Sequence, residues 1–291
     1  MNAKNYLELH LIVFLWGFTA VLGVLITIPA VELVLLRTLG SAVLILLFLK
    51  ILGKPVLVER NDVFKLLGTG LIFSVHWILF FGSAKVSNVS VLLVGMSTIT
   101  LWTALINPIL KGGRIKKLEI VLGLIIVAGA YIVFRADFSY VQGFLMAIGS
   151  AVCAAIFTIL NSGFARRINH FQVMGYEMLG AFIGTLIFIP LYANIKELNF
   201  ELTNMDWIYL AILILVCTLY AYSASVRLMK SITPFVVNLT INLEPVYGIV
   251  LALILFGDSE KMNREFYLGS SIILAAVIAY PIVKKLNKNR A

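Results

Sequence analysis

The sequence predicts an all-α polytopic membrane protein whose ten transmembrane helices form two inverted five-helix repeats. Its 291 residues are 61% hydrophobic and 13% charged, with a mean hydropathy of +1.02. Soluble domains carry about 25% charged residues, so a soluble protein is excluded. The apolar runs are continuous rather than alternating, which favours helices over a membrane β-barrel.

Ten apolar segments, each bounded by charges, Gly or Pro, are long enough for a span, which needs about 20 apolar residues. They lie at residues 7–26, 31–50, 64–84, 88–110, 118–134, 140–165, 171–193, 207–228, 234–256 and 266–284. The first is predicted to be a membrane helix, because it is too long for a signal-peptide core. The connections are short, as expected for antiparallel neighbours in a bundle.

The basic residues predict the orientation. Of the 23 Lys and Arg, 17 lie in segments on the N-terminal side, five in the opposite loops, and Arg37 within the second span. Cytoplasmic loops carry an excess of Lys and Arg. We therefore predict a multi-pass protein of the cell (inner) membrane with both termini in the cytoplasm. The net charge of +9 then reflects topology and no nucleic-acid partner. Cys153 and Cys217 are predicted to be packing residues.

Two weak internal alignments predict the repeat, with residues 1–137 as the first five-helix unit and 138–291 as the second. An offset of 146 aligns Lys111-Gly112 with Gly257-Asp258, and an offset of 140 aligns Leu36–Gly40 with Tyr176–Gly180. Five spans per half is an odd number, so the second half enters the membrane from the opposite side. Related halves are then inverted, as in many transporters.

The most informative segment is 242–248, which places Glu244 and Pro245 within an otherwise uncharged run from Ser231 to Gly257. An ionised side chain at the bilayer centre costs about 2.5–3.5 kcal/mol on insertion scales. Pro245 removes a backbone donor and disturbs the helix. Together they indicate a polar cavity inside a helical bundle. Three roles stay open for Glu244: carrying a proton, contacting a cationic substrate group, or bonding backbone donors near Pro245.

Arg37 and Glu177 lie at matching depths of the second and seventh spans, which inversion would place at opposite depths of one cavity. This pair suits the carboxylate and ammonium of a zwitterionic substrate, or a gate that closes when the two meet. A structural ion pair stays open, as does Arg37 snorkelling outward to pair with Glu32.

Other polar residues lie deep in the predicted spans. His76 can titrate near physiological pH, so it joins Glu244 and Glu177 as a proton-coupling candidate; a hydrogen-bonded packing histidine is the alternative. With Arg37 and Glu177, the substrate-binding candidates are Trp16, His76, Trp102, Asn238, Asn242 and Tyr247. Buried amides need partners, and Trp and Tyr also serve as interfacial anchors.

Several motifs together carry a family resemblance. Trp16-Gly17 lies in the first span, Arg37 in the second and Leu243-Glu244-Pro245 in the ninth, while Gly123 and Gly269 lie in the span that closes each half. With this set the chain resembles the ten-helix EamA-type branch of the drug/metabolite transporter superfamily, from about residue 7 to 284. The resemblance implies a substrate cavity at the midplane between the halves, and export of small metabolites.

The chain departs from the family pattern in two places. Ile99 stands where members commonly have a Pro in the fourth helix. The Gly-Glu pair after the fourth and ninth helices reads Gly113-Arg114 and Gly257-Asp258 here.

We therefore predict a secondary transporter that exports small amphipathic or zwitterionic, amino-acid-like metabolites by alternating access, with proton coupling as a hypothesis. It is expected to need the lipid bilayer, no cofactor and no metal, and to be a monomer or homodimer. The alternatives are an uncoupled facilitator of the same architecture and an integral membrane enzyme. No nucleotide-binding loop occurs, so direct ATP coupling is unsupported. An enzyme is disfavoured because no H-E-x-x-H motif occurs and no aspartates cluster to hold magnesium. The four aspartates, Asp62, Asp137, Asp206 and Asp258, lie in or beside loops.

Overall fold

The computed structural model describes residues 3–135, 140–194, 197–260 and 263–288. Ten helices run through them: α1 Ala3–Leu25, α2 Ala30–Ile51, α3 Arg60–Val86, α4 Val89–Lys111, α5 Lys117–Arg135, α6 Val141–Phe164, α7 His170–Ala193, α8 Asn204–Leu228, α9 Pro234–Phe256 and α10 Arg264–Lys288. The predicted all-helical membrane fold is confirmed. The repeat boundary at 137/138, Asp137, and the Lys196, Lys261 and Arg290 of the charge count lie outside the described residues.

Helices α4 and α9 are each broken near the middle, at equivalent positions. In α4 the segments are Val89–Met96 and Ile99–Lys111; in α9 they are Pro234–Ile241 and Glu244–Phe256. All four segment boundaries are related by an offset of 145. The matching break therefore makes the inverted repeat visible in the backbone.

The glycines that end these two helices show which residues of the two halves are equivalent. Gly112 and Gly257 both have positive φ, of 70° and 58°, a conformation that glycine adopts readily. The two glycines are 145 apart. The sequence-based offset of 146 for this pair of helices is therefore one residue too large, and the equivalent of Glu244 is Ile99.

Proline is not needed for the break. In α4 the hydroxyl of Ser97 donates to the Val94 carbonyl at 2.6 Å, and that of Thr98 to the Gly95 carbonyl at 2.8 Å. These bonds satisfy carbonyls near the interruption. Pro245 lies in the first turn after the α9 break, where a missing N–H costs little. Pro245, which the sequence predicts to disturb the helix, is thus only part of the cause of the break.

The helix packing follows the inverted repeat. Helix α4 packs on α6 as α9 packs on α1, and α5 packs on α10. Helices α3 and α6 pack along their length, and α1 and α8 form the equivalent pair in the opposite orientation. The two pairs enclose the centre of the bundle, each with one helix from each half.

Aspartates at the third position of α3 and α8 each link the two helices within one pair. Asp206 accepts from the backbone N–H of Thr27 at 2.8 Å and from its hydroxyl at 2.7 Å. Asp62 pairs with Arg167, just after α6. Thr27 and Arg167 differ by 140, so the two ties are equivalent and lie on opposite faces of the membrane.

Helix α3 contacts α7 through glycine. A Cβ on Gly180 would lie 2.4 Å from the Leu67 carbonyl oxygen, and one on Gly70 would lie 2.4 Å from that of Glu177. Only glycine permits so close a backbone approach. The contact fixes the position of Glu177 relative to α3.

Candidate functional site

A cavity of about 70 Å³ lies at the centre of the bundle, between the α1–α8 and α3–α6 pairs. Arg37, His76 and Glu244 are the lining residues that carry an ionisable nitrogen or a carboxylate. Its walls are mainly apolar, with the aromatic rings of Trp16, Phe73, Trp77, Phe80, Phe157 and Tyr222. A small number of polar groups in an aromatic chamber is typical of a small-molecule site.

Arg37 reaches the cavity from α2 and is 1% exposed. Its Nε donates to the Thr218 hydroxyl at 2.9 Å, and its guanidinium carbon lies 4.0 Å from the ring centroid of Trp77. Its Nη1 has no hydrogen-bond partner in the described part of the chain. The guanidinium is therefore held in place while retaining capacity for an anionic group.

The snorkelling alternative for Arg37 is not what the structure shows. Glu32 Oε1 accepts from the backbone N–H of Asn199 at 2.9 Å, and no ion pair with Arg37 is found among the described residues. A direct Arg37–Glu177 ion pair is likewise not found among the described residues.

A π-helical stretch in α8, Leu213–Tyr220, contains the hydrogen-bond acceptor of Arg37. Thr218 donates to the carbonyl of Leu213, five residues earlier, at 2.8 Å, so its oxygen is presented to Arg37. The Cys217 carbonyl accepts from the Trp16 indole N–H at 3.2 Å. Such wide turns are frequent at functional sites because they redirect backbone carbonyls and side chains.

His76 is fixed by Ser150 of α6. The Ser150 hydroxyl donates to the His76 carbonyl at 3.0 Å, and the Ser150 carbonyl lies 2.9 Å from Nδ1. A carbonyl can only accept, so a hydrogen bond to it needs a hydrogen on Nδ1; the Ser150 hydroxyl also lies 2.7 Å from that nitrogen. The rings of Phe73, Phe80 and Phe157 surround the imidazole. The packing alternative accounts for these contacts, although the ring also lines the cavity.

Glu244 is the first residue after the α9 break and is 4% exposed. It lines the cavity, and no described residue bonds its carboxylate. The third role considered for it, bonding backbone donors near Pro245, is not seen in this structure. Its carboxylate and the Arg37 guanidinium thus reach the same space without pairing with each other.

Glu177 lies behind the cavity wall and is fully buried. The Tyr222 hydroxyl donates to its Oε2, and Asn161 Nδ2 lies 3.5 Å from the same oxygen. Oε1 has no partner among the described residues. Glu177 therefore reaches the cavity only through Tyr222.

Asn238 and Asn242 join α9 to α4 outside the cavity lining. Asn238 Nδ2 donates to the Thr103 hydroxyl at 2.7 Å, and Asn242 Nδ2 to the Thr100 hydroxyl at 2.5 Å. The two threonines are three residues apart and the two amides four, so each pair lies on one helix face. These bonds hold the two broken helices against each other.

Trp102 and Tyr247 also lie outside the cavity lining. The Trp102 indole donates to the Thr98 hydroxyl at 3.2 Å, beside the α4 break. The Tyr247 ring packs edge-to-face on Phe14, with centroids 5.5 Å apart. Of the predicted substrate-binding residues, the structure thus brings Arg37, Trp16 and His76 to the cavity.

Sequence reasoning missed Thr218 and Ser150 as the partners of Arg37 and His76. The π-helical turn that aims Thr218 has no periodicity signal. The threonines three residues apart on α4 and the asparagines four residues apart on α9 each mark one polar helix face, which could have indicated that pairing.

Among the described residues, no group of three or more His, Cys, Asp or Glu side chains could hold a metal ion. The residues that line the cavity carry one guanidinium, one carboxylate, one imidazole and several rings, which can bind a small molecule reversibly.

Comparison with known proteins gives a family and a fold. A sequence model of the EamA-like transporter family matches residues 5–135 and 141–280, once in each half. A solved crystal structure, described only as that of a protein, superposes with a TM-score of 0.72 at 17% identity, covering 98% of this chain and 99% of that chain. At this identity the likeness shows the fold alone. A search of curated proteins found no match.

Proposed function

This chain belongs to the EamA-like transporter family, and from that premise we propose that it exports small zwitterionic metabolites, of which amino acids are the type. It is a multi-pass membrane transporter, and the proposal adds a substrate class, a direction and a mechanism. Export is the direction that the family resemblance implies, and the excess of Lys and Arg on the side of the termini favours a cytoplasmic location for both ends.

One observation supports the substrate class above all others. Arg37 and Glu244 both line one cavity, and neither neutralises the other. Unpaired buried charges are costly, so opposite charges kept apart suit a ligand that supplies both counter-charges. The carboxylate of the substrate would bind Arg37, and its ammonium would bind Glu244.

The proposal assigns the substrate's ammonium to a different residue from the one that the sequence suggested. The sequence paired Arg37 with Glu177, whose carboxylate the structure places behind Tyr222. Glu244 takes that role in the proposal because it lines the cavity itself. Glu177 is kept as a proton-coupling candidate.

The walls supply the remaining selectivity. Trp16, Phe73 and Phe157 present ring surfaces to the cavity, and Phe73 and Phe157 stack with centroids 3.7 Å apart. Aromatic surfaces favour an apolar or aromatic side chain on the substrate.

Alternating access would use the two helix pairs around the cavity. The α1–α8 and α3–α6 pairs are joined internally by the Asp206 and Asp62 ties, while the cavity lies between them. Movement of one pair against the other would open the cavity to one face at a time, as in other inverted-repeat transporters.

The test is an untargeted comparison of metabolites in the medium of cells that express the unmodified chain, Arg37→Ala or Glu244→Gln. We expect one or more zwitterionic compounds to accumulate with the unmodified chain and with neither variant, at equal membrane levels of all three. Equal accumulation with all three would overturn the site assignment. Depletion of such compounds from the medium would overturn export and indicate an importer.

A further inference from the structure

Tyr222 is the single bonded link between Glu177 and the cavity in the described part of the chain. Its ring lines the cavity, and its hydroxyl donates to Glu177 Oε2. Asn161 Nδ2 donates to the Tyr222 oxygen at 2.6 Å. The phenol oxygen thus accepts one hydrogen bond and keeps a second lone pair.

The hydrogen bonding of Glu177 differs from that of a structural carboxylate in the same protein. Asp206 accepts from Thr27 N–H on Oδ1, and from the hydroxyls of Thr27 and Thr203 and the N–H of Thr203 on Oδ2. Both of its oxygens are therefore satisfied. Glu177 has both donors on Oε2, and Oε1 has none among the described residues.

A buried carboxylate with a fixed structural role normally has all its hydrogen bonds made. The half-satisfied Glu177 instead suits a group that gains and loses a proton. Its position one side chain from the cavity gives that proton a route.

The surroundings leave Tyr222 as the titratable partner. Helix α8 presents Tyr222 and α6 presents the neutral amide of Asn161. Helix α3 presents the backbone at Gly70, and α2 packs Ile45 against Gly175, half a turn from Glu177. No basic side chain bonds Glu177 in the described part of the chain.

Resting on the proposed transport function, we propose that Tyr222 and Asn161 form with Glu177 a proton relay that couples substrate export to proton movement. A hydronium ion in the cavity gives a proton to the Tyr222 oxygen as the existing phenol O–H bond breaks. That hydrogen forms an O–H bond on Glu177 Oε2. The products are a cavity water, a neutral phenol and a neutral carboxylic acid, and the reverse step returns the proton. Asn161 is a positioning residue, because its donated hydrogen bond orients the hydroxyl toward Glu177.

The test uses purified full-length chain in liposomes that contain a pH-sensitive dye, with an equimolar mixture of radiolabelled L-amino acids as probe. Two quantities are measured: label counterflow, which needs binding and alternating access only, and proton flux driven by the probe. Tyr222→Phe keeps the ring that lines the cavity, and for it we expect the ratio of proton flux to counterflow to fall by about 100-fold, the scale of general acid–base contributions. Glu177→Gln should behave in the same way.

Tyr220→Phe is the matched control, because Tyr220 lies two residues away with its side chain 43% exposed. It should match the unmodified chain in both measurements. An unchanged proton flux in Tyr222→Phe would overturn the relay. Counterflow without any proton flux in the unmodified chain would also overturn it, while leaving an uncoupled transporter.

A second readout separates this inference from the substrate proposal. If the unmodified chain shows no counterflow, the amino-acid proposal fails, and infrared spectroscopy over a pH titration decides the relay. We expect a carboxylic-acid carbonyl band that is lost in Glu177→Gln and shifted in Tyr222→Phe and Asn161→Leu. A band unaffected by these changes contradicts the relay.

Discussion

Arg37 in the first half and Glu177 in the second half occupy equivalent places, since α2 begins at Ala30 and α7 begins 140 residues later at His170. Each charged group meets an aromatic residue of the following helix. Arg37 lies over Trp77 at 4.0 Å, and Glu177 accepts from Tyr222. Trp77 and Tyr222 differ by 145, one more than the 144 between the first residues of α3 and α8, and the π-helical stretch of α8 lies between its start and Tyr222.

The two arrangements differ in what separates the charge from the cavity. Arg37 lies on the face of an indole, which leaves its guanidinium in the lining. Glu177 lies beyond the hydroxyl of a phenol, which covers it. The same scaffold therefore holds a charged group in contact with the cavity in one half and a charged group covered by a side chain in the other. The aromatic residue on the following helix determines which of the two arrangements occurs.

The largest expected effect comes from removing Arg37, the member of the comparison that lines the cavity. Arg37→Ala should lower transport by about 100-fold, because hydrogen bonds to charged groups contribute about 1.5–3 kcal/mol and tenfold corresponds to about 1.4 kcal/mol. Export of the compound found in the medium measures it, with Arg37→Lys as the control that keeps the charge. If Arg37→Ala retains full export at equal membrane levels, Arg37 serves packing alone.

The next effect concerns the two broken helices. Glu244→Gln should lower transport by about 10- to 100-fold through the loss of one charge-assisted contact, worth about 1.5–3 kcal/mol. Ile99→Leu, at the equivalent position of α4, should stay within about twofold. Equal losses in both variants would show that the break itself, rather than the carboxylate, is sensitive.

A stability difference should separate Gly180 from Gly40, its equivalent in α2. A Cβ on Gly180 meets the α3 backbone, 2.4 Å from the Leu67 oxygen, whereas one on Gly40 meets only the end of the Ile214 side chain, at 2.6 Å. Gly180→Ala should destabilise by about 1–3 kcal/mol. Gly40→Ala should be neutral or stabilising, because alanine favours a helix by about 1 kcal/mol. Thermal unfolding in detergent compares them, and a reversed order would contradict the α3–α7 packing.

The smallest effect is expected from removing the hydrogen bonds that the amides of α9 donate to the hydroxyls of α4. Asn242→Ala should cost about 0.6 kcal/mol, the average for hydrogen bonds between membrane helices. Thr100→Val should cost a similar amount, and the double variant little more than either, since both remove one bond. Fully additive losses in the unfolding measurement would indicate that the two side chains do not interact.

Most of the fold was predictable because a bilayer leaves few options. Backbone groups in lipid must be satisfied within the segment, so long apolar runs can only be helices. The ninth span was predicted at 234–256 and is observed at Pro234–Phe256. Its break could not be placed from Pro245 alone, because α4 breaks at the equivalent point through Ser97 and Thr98.

The site was only partly predictable. Composition and burial cost drew attention to Arg37, Glu177 and Glu244, since charges within a span are expensive and rare. Periodicity could not show that Glu177 lies behind Tyr222, or that Asn238 and Asn242 turn to α4, because both depend on how distant helices meet.

By itself the sequence determined that the chain spans a membrane, how many helices it has and which few charged groups enter the bilayer. Hydropathy and charge give this because they act locally along the chain. Only the tertiary structure decided which of those groups share a cavity. The offset between the halves, the π-helical turn at Thr218 and the glycine contact of α3 with α7 are set by packing between helices. That packing puts Arg37 and Glu244 in the cavity and Glu177 one side chain away.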